Sequence, residues 1–363
     1  MKVECVLEQL TSAITATERV AGNHPTLPIL NCILISVENS TLKVRSTNLE
    51  LGLEVGMAAR VLAEGMVAVP AATLLNTLLN THTAQVTLET KGTNLVIKTP
   101  NGETNIATVS ADDFPTLPTI GNKPLKILGR DLLRGLKAVW FAGSAATIKP
   151  ELGSVCLYPE GQTLVFVATD SFRLAEKIIP LTHPLDFKTL LLPLRSVPEL
   201  LRFLERADGD IAVRVSEHQI SFTADDHYLT SRVIEGVFPD YRQIIPKEKL
   251  TEVVALKHDL LGTLKKALVF SGKFNQVQLS VQPKKKQFVV SSGSDVGETT
   301  DTVPSAVSGE DLSVHFNLKY LLDCFQALGG DSVSLAFSGA GKPLVARDAA
   351  DASFLYLVMP MNR

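Results

Sequence analysis

The chain repeats one order of structural elements three times along its 363 residues. Three helix-like apolar patterns are spaced by close to one third of the chain, and they begin at Val6, Leu132 and Leu260. A second helical pattern follows each of them, and these open at Pro70, Pro193 and Asn317. Each copy closes on a large apolar residue and a proline, at Phe114-Pro115, Phe238-Pro239 and Met359-Pro360. A repeat of roughly 120 residues is far longer than a solenoid repeat and can form a domain with its own core. The sequence therefore predicts three domains, over residues 1–122, 123–247 and 248–363.

Strand-like patterns lie between the helical patterns of each repeat. Apolar and polar residues alternate over 33–37, 41–45, 85–89, 94–98, 212–215 and 219–222, which is typical of β-strands with one buried face. Short turns such as 90–93 and 160–162 join them, and short turns favour antiparallel meanders over parallel crossovers. Each repeat is therefore predicted to be an α+β domain with two helices packed on antiparallel sheet.

Composition limits the cellular location and the kinds of site. Hydrophobic residues make up 45% of the chain and charged residues 20%, as in ordinary packed proteins. No apolar run approaches the roughly 18 residues needed to span a bilayer, and the first five residues include Glu4 where a signal peptide needs a basic and then apolar stretch. We expect a cytoplasmic protein that does not enter a membrane. The four cysteines lie far apart, so they are expected to be small core residues and not a disulfide framework or a zinc site.

No motif points to catalysis. Residues 339–342 resemble part of a phosphate-binding loop, but Ala336 replaces its first glycine and Pro343 its serine or threonine, so a hairpin turn is the better interpretation. None of the seven histidines pairs with another at metal-ligand spacing. We expect no catalytic residue, no metal and no cofactor, and the protein is not predicted to be an enzyme. The net charge of −3 argues against a protein that coats DNA by bulk attraction, although a basic face remains compatible with it.

Two segments stand out from the strand pattern. Residues 164–167 run straight into the polar sequence 168–175, which predicts a strand, a tight turn at Asp170 and Ser171, and a returning strand. Residues 354–361 keep apolar side chains almost to the last residue and place two methionines around Pro360. Methionine suits an adaptable contact surface, whereas a last core strand would explain only 355–358.

With these segments the sequence resembles the bacterial β sliding clamps. The resemblance is carried in order by 24–31, 47–50, 168–175, 238–242, 316–320 and 358–361, within the threefold repeat. It implies three DNA-clamp domains with helices facing inward and strands outward, and a homodimer that closes head to tail into a six-domain ring around double-stranded DNA. Such a ring is a processivity factor that holds DNA without sequence specificity. The implied partners are the catalytic subunit of the replicative DNA polymerase, the clamp loader, and translesion polymerases and repair proteins that carry clamp-binding peptides.

The resemblance also implies three groups of site residues. A hydrophobic peptide-binding pocket would be lined by Leu152, Thr169, Ser171, Phe172, Arg173, Leu174, Pro239, Gln243, Ile244, Phe274, Asn317, Tyr320, Leu344, Leu357, Val358, Met359, Pro360 and Met361. The dimer interface would join Thr104 and Ile106 of one subunit to Leu268, Val269 and Glu298 of the other. Helical spacing suggests basic faces from Arg134 with Lys137, Arg195 with Arg202, and Lys265 with Lys266, and the resemblance adds His24 and Lys149 to the residues near DNA.

Two other functions remain open from the residues. A monomeric peptide-binding scaffold derived from a clamp would keep the pocket without encircling DNA. An α+β enzyme built from three duplicated domains would be favoured only if Asp170 and Arg173 formed an active-site pair.

Overall fold

The computed structural model of the protein describes residues 1–22, 26–38, 41–144 and 149–361. The chain forms two compact units, one of Met1–Arg130 with Pro198–Val233 and the other of Asp131–Val197 with Ile234–Arg363. Each unit thus combines one outer repeat with part of the central one. The three domain boundaries stay a prediction, because the units follow a different division of the chain.

The predicted pair of helices is confirmed in every repeat. The helices are α1 Leu7–Glu18, α2 Ala71–Leu79, α3 Gly129–Val139, α4 Val197–Arg206, α5 Lys257–Leu268 and α6 Leu318–Asp323. Helix α1 buries Leu7, Leu10 and Ile14, a spacing that places them on one helical face. Helix α6 begins at Leu318, directly after Asn317. The Asn317 side chain accepts hydrogen bonds from the backbone N–H groups of Lys319 and Tyr320, as an N-cap residue does.

The strands alternate with these helices in the predicted order. The first repeat contains β1 Lys2–Val6, β2 Cys32–Glu38, β3 Thr41–Thr47, β4 Leu51–Ala58, β5 Arg60–Ala63, β6 Gly65–Pro70, β7 Gln85–Lys91, β8 Asn94–Thr99 and β9 Gly102–Ala107. The second contains β10 Leu125–Leu128, β11 Ser154–Glu160, β12 Thr163–Thr169, β13 Arg173–Pro180, β14 Leu190–Pro193, β15 Asp210–Val215, β16 Gln219–Ala224 and β17 His227–Arg232. The third contains β18 Thr251–Leu256, β19 Gln276–Gln282, β20 Gln287–Ser294, β21 Gly297–Thr302, β22 Ser305–Gly309, β23 Leu312–Asn317, β24 Ser332–Phe337, β25 Leu344–Asp348 and β26 Phe354–Val358.

The first unit holds two sheets. One has the order β5-β1-β7-β8-β9, and the other has the order β10-β15-β16-β17-β4-β3-β2-β6. The second sheet joins two repeats because β17 pairs antiparallel with β4, with Leu229 opposite Leu53. The first sheet leaves β9 as an edge strand.

The second unit repeats this arrangement. Its larger sheet has the order β14-β11-β12-β13-β26-β25-β24-β18-β22 and joins repeats where β13 pairs with β26, with Ala175 opposite Tyr356. Its smaller sheet has the order β21-β20-β19-β23 and leaves β21 as an edge strand. The predicted antiparallel sheets are confirmed.

The two joints between repeats have the same register. The residues that precede α2 and α4 and cap α6, namely Pro70, Pro193 and Asn317, lie opposite Cys32, Ser154 and Gln276, which aligns the three repeats. Continuing this alignment through the sheets makes Leu53, Ala175 and Thr299 equivalent. The first strands give a second alignment, because Val6, Leu128 and Leu256 lie opposite Gln85, Asp210 and Ser332. This second alignment makes Thr104, Leu229 and Tyr356 equivalent. The hydrogen bonds agree, because Arg232 N donates to Glu50 O and Met359 N donates to Phe172 O, each at 2.8 Å. The same contact between edge strands therefore occurs twice within the chain, as β4 with β17 and as β13 with β26.

The smaller local predictions are also confirmed. The turn at 339–342 joins β24 to β25, with Gly339 at a φ of +125°. All four cysteines are buried and unpaired, and burial raises the pKa of the Cys5 and Cys156 thiols to about 12.

We expect Asp351→Asn to destabilise the protein at neutral pH and much less near pH 2. Lys177 is 4% exposed and its Nζ donates to Asp351 Oδ2 and Ser353 Oγ, both at 2.6 Å. Burial opposes ionisation of Asp351, but Lys177 and Ser353 outweigh it and lower its pKa to about 2. Because the folded pKa lies below the unfolded one, this stabilisation is present above pH ~4 and is lost as the pH falls toward 2.

Urea unfolding across this pH range measures the effect. Removing one charged partner of a buried group costs about 1–3 kcal/mol, so a loss of that order is expected at pH 7. Asp295→Asn in the exposed β20–β21 turn is the matched control and should change little. Equal losses at pH 7 and pH 2.5 would contradict the assignment.

Candidate functional site

The turn between β12 and β13 is fixed by its own side chains. Asp170 Oδ1 accepts hydrogen bonds from the backbone N–H groups of Phe172 and Arg173, both at 2.9 Å. Thr169 Oγ1 donates to Arg173 O at 2.6 Å, and Ser171 takes a φ of +78°. Aspartate commonly closes turns in this way. The turn presents Phe172 to solvent with 60% of its surface exposed.

Arg173 lies on top of an aromatic ring and between two carboxylates. Its guanidinium carbon is 4.4 Å from the centre of the Tyr320 ring, a distance suited to a cation–π contact. Its Nε donates to Asp170 Oδ2 at 3.0 Å, and its Nη1 donates to Asp323. Burial opposes the charge, but Tyr356, Asp323 and Asp170 raise the pKa of Arg173 further. The arginine is therefore a permanently charged, oriented group beside the exposed Phe172.

The last described residues continue along this turn. Beyond β26, Met359 N donates to Phe172 O at 2.8 Å and Met361 N donates to His315 O at 2.8 Å. Met359, Pro360 and Met361 are each partly exposed. Two backbone hydrogen bonds thus hold a stretch of flexible, apolar side chains between β13 and β23.

A third wall is held by a buried hydrogen-bond chain. Tyr241 is 7% exposed, and its hydroxyl donates to the carboxylate of Glu176 on β13. The Tyr158 hydroxyl lies 2.7 Å from that of Tyr241, and Arg242 Nη2 donates to Tyr158 at 3.1 Å. Burial, reinforced by Glu176, raises the pKa of Tyr241. The chain of contacts fixes 239–244 against the strand that begins at Arg173.

All residues predicted for the pocket belong to the second unit, but they differ in exposure. The exposed ones are Ser171, Phe172, Pro239, Gln243, Ile244 and Phe274. Those partly exposed are Arg173, Asn317, Tyr320, Met359, Pro360 and Met361. Those with buried side chains are Leu152, Thr169, Leu174, Leu344, Leu357 and Val358. Gln243 Nε2 donates a hydrogen bond to Asp240 Oδ2, and the Asn317 side chain caps helix α6. A ligand could reach the first two groups directly and the buried group only after side chains move.

Sequence reasoning predicted the turn at Asp170 but missed the other contacts that support this surface. Asp170 and Asp323 orient Arg173, while Glu176 and Tyr241 anchor the wall at 239–244. An Asp two and three residues before the N–H groups it binds is a recognisable turn signal. The long-range partners of Arg173 and Tyr241 left no comparable local pattern.

The predicted basic residues lie on or beside helices, and several already contact carboxylates. Arg134 and Lys137 are exposed on α3, and Lys265 and Lys266 are exposed near the end of α5. Arg134 lies 3.4 Å from Asp131, Lys266 lies 2.8 Å from Asp301, and Arg202 on α4 binds Glu199. Exposed ion pairs of this kind are weak, so phosphate can compete for these cations.

One detail of the basic set differs from the sequence prediction. Arg195 does not share a helix with Arg202, because it lies in the 3-10 turn Leu194–Ser196 and α4 begins only at Val197. Pro198 lacks a backbone N–H and therefore fits the first turn of a helix but not its interior. Lys149 is exposed, and His24 lies outside the described residues.

The first unit adds two arginines that the sequence prediction did not include. Arg19 and Arg206 lie with Arg202 and Glu199 around a small cleft that His227 also lines. Burial, together with the charge of Arg206, lowers the pKa of His227. Arg19 ends α1 and Arg206 ends α4, so their proximity arises from tertiary packing.

The residues predicted for a dimer interface lie on or near open sheet edges. Thr104 is exposed on β9, whereas the Ile106 side chain on the same strand is buried. Glu298 is exposed on β21, Val269 is 68% exposed, and Leu268 is partly exposed. Backbone groups of β9 and β21 therefore face outward from their sheets, whatever the direction of each side chain.

The described residues contain neither a metal-binding cluster nor a helix that could span a membrane. Among the described residues, no group of three or more His, Cys, Asp or Glu side chains could hold a metal ion. No helix in the same part of the chain combines the length and apolar character needed to cross a bilayer.

We expect Tyr241→Phe to lower stability by about 1–3 kcal/mol, because it leaves the buried Glu176 carboxylate without its donor. Denaturant unfolding monitored by tryptophan fluorescence and circular dichroism measures the loss. Tyr228→Phe is the matched control, since the Tyr228 hydroxyl donates to Pro118 O at an exposed position. A loss at Tyr241 no larger than that at Tyr228 would argue against a supporting role for the hydrogen-bond chain.

Comparisons with known proteins agree along the whole chain. Residues 1–118, 127–240 and 242–362 match the N-terminal, central and C-terminal domain families of the DNA polymerase III beta subunit. The beta sliding clamps of Synechococcus elongatus and Escherichia coli K12 are 29% and 27% identical, over 100% of this chain and 99% and 100% of theirs.

Solved structures agree as well. The DNA polymerase sliding clamp of Bacillus subtilis superimposes with a TM-score of 0.94 at 25% identity, covering 100% of this chain and 99% of that one. The DNA polymerase III beta subunit of Thermotoga maritima gives 0.93 at 26% identity, with the same coverage. The threefold repeat, the six helices on antiparallel sheet and these matches over the full length lead to one conclusion: the chain belongs to the DNA polymerase III beta subunit family, the non-enzymatic β sliding clamps.

Proposed function

We propose that two copies of this chain close head to tail into a ring that encircles duplex DNA. The ring tethers the catalytic subunit of the replicative polymerase and confers processivity. The clamp loader, translesion polymerases and repair proteins use the same peptide-binding surface. Because the ring acts on bacterial DNA, we expect it to work in the cytoplasm.

The observation that carries this proposal is the pair of open edges at β9 and β21. In the repeat alignment, β4, β13 and β21 are equivalent strands, and so are β17, β26 and β9. Two of the three possible pairings exist inside the chain, as β4 with β17 and β13 with β26. The third, β21 with β9, would form between subunits. An interface that uses one patch on one face and a different patch on the other closes into a ring when the rotation permits.

The repeated register predicts the residues that meet between subunits. Leu53 lies opposite Leu229, and Ala175 lies opposite Tyr356. Their equivalents are Thr299 and Thr104, so Thr299 of one subunit should lie opposite Thr104 of the next. A threonine pair buries less apolar surface than the leucine pair. The subunit joint is therefore expected to open more readily than the joints inside the chain.

The cysteine pair Thr104→Cys and Thr299→Cys should form a disulfide-linked dimer under mild oxidation. Glu50 with Arg232 and Gly56 with Asp226 are hydrogen-bonded pairs, so Leu53 with Leu229 is a non-hydrogen-bonded pair. Side chains lie closer together in such pairs, so cysteines at the equivalent positions 299 and 104 are well placed for a disulfide. Non-reducing electrophoresis reads the dimer band, and the four native thiols are buried. The control pair Thr104→Cys with Thr300→Cys is one residue out of register and should link poorly. Equal linking of both pairs would reject the register, and a monomer mass in light scattering, instead of twice 39.2 kDa, would reject the ring.

DNA contact is assigned to the exposed cations on and beside the helices. Arg134, Lys137 and Lys149 are exposed residues of the second unit. Contacts of lysine and arginine to phosphate carry no base information. A ring needs only a modest number of them, because topology and not affinity retains the DNA. This accounts for a DNA-bound protein with a net charge of −3.

Peptide binding is assigned to the surface around Phe172. The exposed Phe172, Ile244 and Phe274 supply apolar area, and Met359 and Met361 can adjust to different anchors. Arg173 supplies a fixed charge beside them. Short peptides with a leucine or phenylalanine anchor fit this combination.

Replacing Lys149, Arg195 and Arg202 together with Glu should abolish retention on circular DNA and leave peptide binding unchanged. Retention after clamp loading is measured by gel filtration at moderate salt, and peptide binding by fluorescence anisotropy with a polymerase-derived peptide. The matched control replaces Lys284, Lys285 and Lys286, which are exposed around the β19–β20 turn, with Glu. The control changes the net charge equally and should retain DNA. Normal retention by the first variant would reject the assignment of these cations.

The two alternative functions gain no support. The comparisons are with sliding clamps and not with a monomeric scaffold. Asp170 and Arg173 contact each other, but the same Asp170 carboxylate closes the turn through two backbone N–H groups. This is a structural ion pair at a turn and offers no acid–base chemistry.

A further inference from the structure

The same sheet face recurs in each repeat and is covered in two of them. The face is formed by β2–β4 with β6, by β11–β14, and by β19–β21 with β23. Cys156, Leu34 and Gln278 are equivalent positions on it in the repeat alignment. We call this the strap face, because a chain segment lies across it in the first two repeats.

In the first repeat, residues 108–117 form the strap. Val109 N donates to Ala68 O on β6 at 2.9 Å. Phe114 then packs against a cluster that includes Leu34 and Ala68. The strap thus begins with a backbone hydrogen bond to the outermost strand and continues with an apolar anchor.

In the second repeat, residues 234–245 form the strap in the same way. Ile234 N donates to Leu191 O on β14 at 2.8 Å. Tyr241 then packs against a cluster that includes Cys156 and Leu191. Ala68 and Leu191 occupy equivalent positions, so the two straps start from one point on the face.

In the third repeat the equivalent backbone hydrogen bond lies beside a polar groove. Met361 N donates to His315 O on β23 at 2.8 Å, and His315 is the equivalent of Ala68 and Leu191. The strap face next to it holds a groove of about 330 Å³, and the residues that line it include Gln278, Ser291, Glu298, Thr300 and His315. The polar Gln278 occupies the position that the apolar Leu34 and Cys156 occupy in the first two repeats.

The groove is built from oriented polar groups. Gln278 Nε2 donates to Ser313 Oγ at 2.7 Å, and Gln278 Oε1 accepts from Ser291 Oγ at 3.3 Å. Of the residues that line the groove, Glu298 supplies the one carboxylate, and it is exposed. A buried aromatic ring such as that of Phe114 or Tyr241 would remove water from these polar groups without replacing its hydrogen bonds, which is unfavourable.

We propose that this groove is a docking site for an extended, polar and basic peptide segment of a partner protein. The segment lies across the strap face as residues 108–117 and 234–245 do in the other repeats. Its side chains hydrogen-bond to Gln278, Ser291 and Thr300, and a lysine or arginine lies opposite Glu298. This inference goes beyond the proposed function, because it concerns a surface other than the pocket around Phe172. The groove includes Glu298 on β21 and therefore borders the proposed subunit joint. Light scattering of the Glu298→Gln variant separates an effect on that joint from an effect on the peptide.

Fluorescence anisotropy with two short labelled peptides tests the proposal on the full chain. Both consist of serine, threonine and glutamine, and one carries arginine where the other carries glutamate. The arginine peptide should bind more tightly, and Glu298→Gln should weaken it by about twofold to fivefold, as for an exposed ion pair. Ser291→Trp, which fills the groove, should abolish binding. Ser308→Trp on β22, an exposed position in the other sheet, is the matched control and should bind normally.

Photocrosslinking with a benzophenone-labelled arginine peptide locates the contact. Crosslinks should map to 276–300 and His315. Equal binding of the two peptides, unchanged binding by Ser291→Trp when its thermal unfolding is normal, or crosslinks outside these strands would each overturn the proposal. If Ser291→Trp fails to fold, the Glu298→Gln result and the crosslinks decide the question.

Discussion

The structure depends on antiparallel pairing between the edge strands of neighbouring repeats. Each repeat builds two sheets, and each sheet alone would leave backbone N–H and C=O groups open along its edge. At β4 with β17 and at β13 with β26, those groups are paired and the sheets become continuous across repeats. The compact units of the fold are therefore built on the merged sheets. They do not coincide with the three sequence repeats, which describe only the recurring order of helices and strands. The helices, the turn at Asp170 and the tail at Met359 all take their positions from these merged sheets.

Side chains at the two joints differ while the backbone register stays the same. Leu53 and Leu229 fill one joint, and Ala175 and Tyr356 fill the other. On the other face of the same strands, Glu54 is held by Lys43 and Arg45, whereas the equivalent Glu176 is held by Tyr241. Divergent side chains thus support one backbone contact, which explains how repeats with little mutual identity keep the same architecture. The surface proposed to bind peptides depends on this difference, because the hydrogen bond from Tyr241 to Glu176 holds the wall at 239–244 against the strand that begins at Arg173.

Much of the fold could be predicted from the sequence because its signals are local and repeated. The helices after Pro70 and Asn317, the alternating strands, the hairpin at 339–342 and the turn at Asp170 follow from capping, periodicity and turn chemistry. The merging of sheets across repeats could not be predicted, since strand pairing is non-local and leaves no fixed spacing. Arg195 precedes α4, because Pro198 suits the first turn of a helix and helical spacing alone does not show where the helix begins. The stacking of Arg173 on Tyr320 and the cluster of Arg19 with Arg206 depend on packing alone.

The merged sheets have a practical consequence for cutting the chain into pieces. A fragment that consists of the central repeat, residues 123–247, would keep β13 and β17 but lose β26 and β4, the strands that pair with them from the other repeats. Each would then present an unpaired row of backbone groups, and Leu174 on β13 would also lose its buried cluster neighbours Leu355 and Leu357. Exposed edges of this kind template association with other chains. The central repeat in isolation is therefore a candidate for aggregation during expression, although it has the length and composition of an ordinary domain.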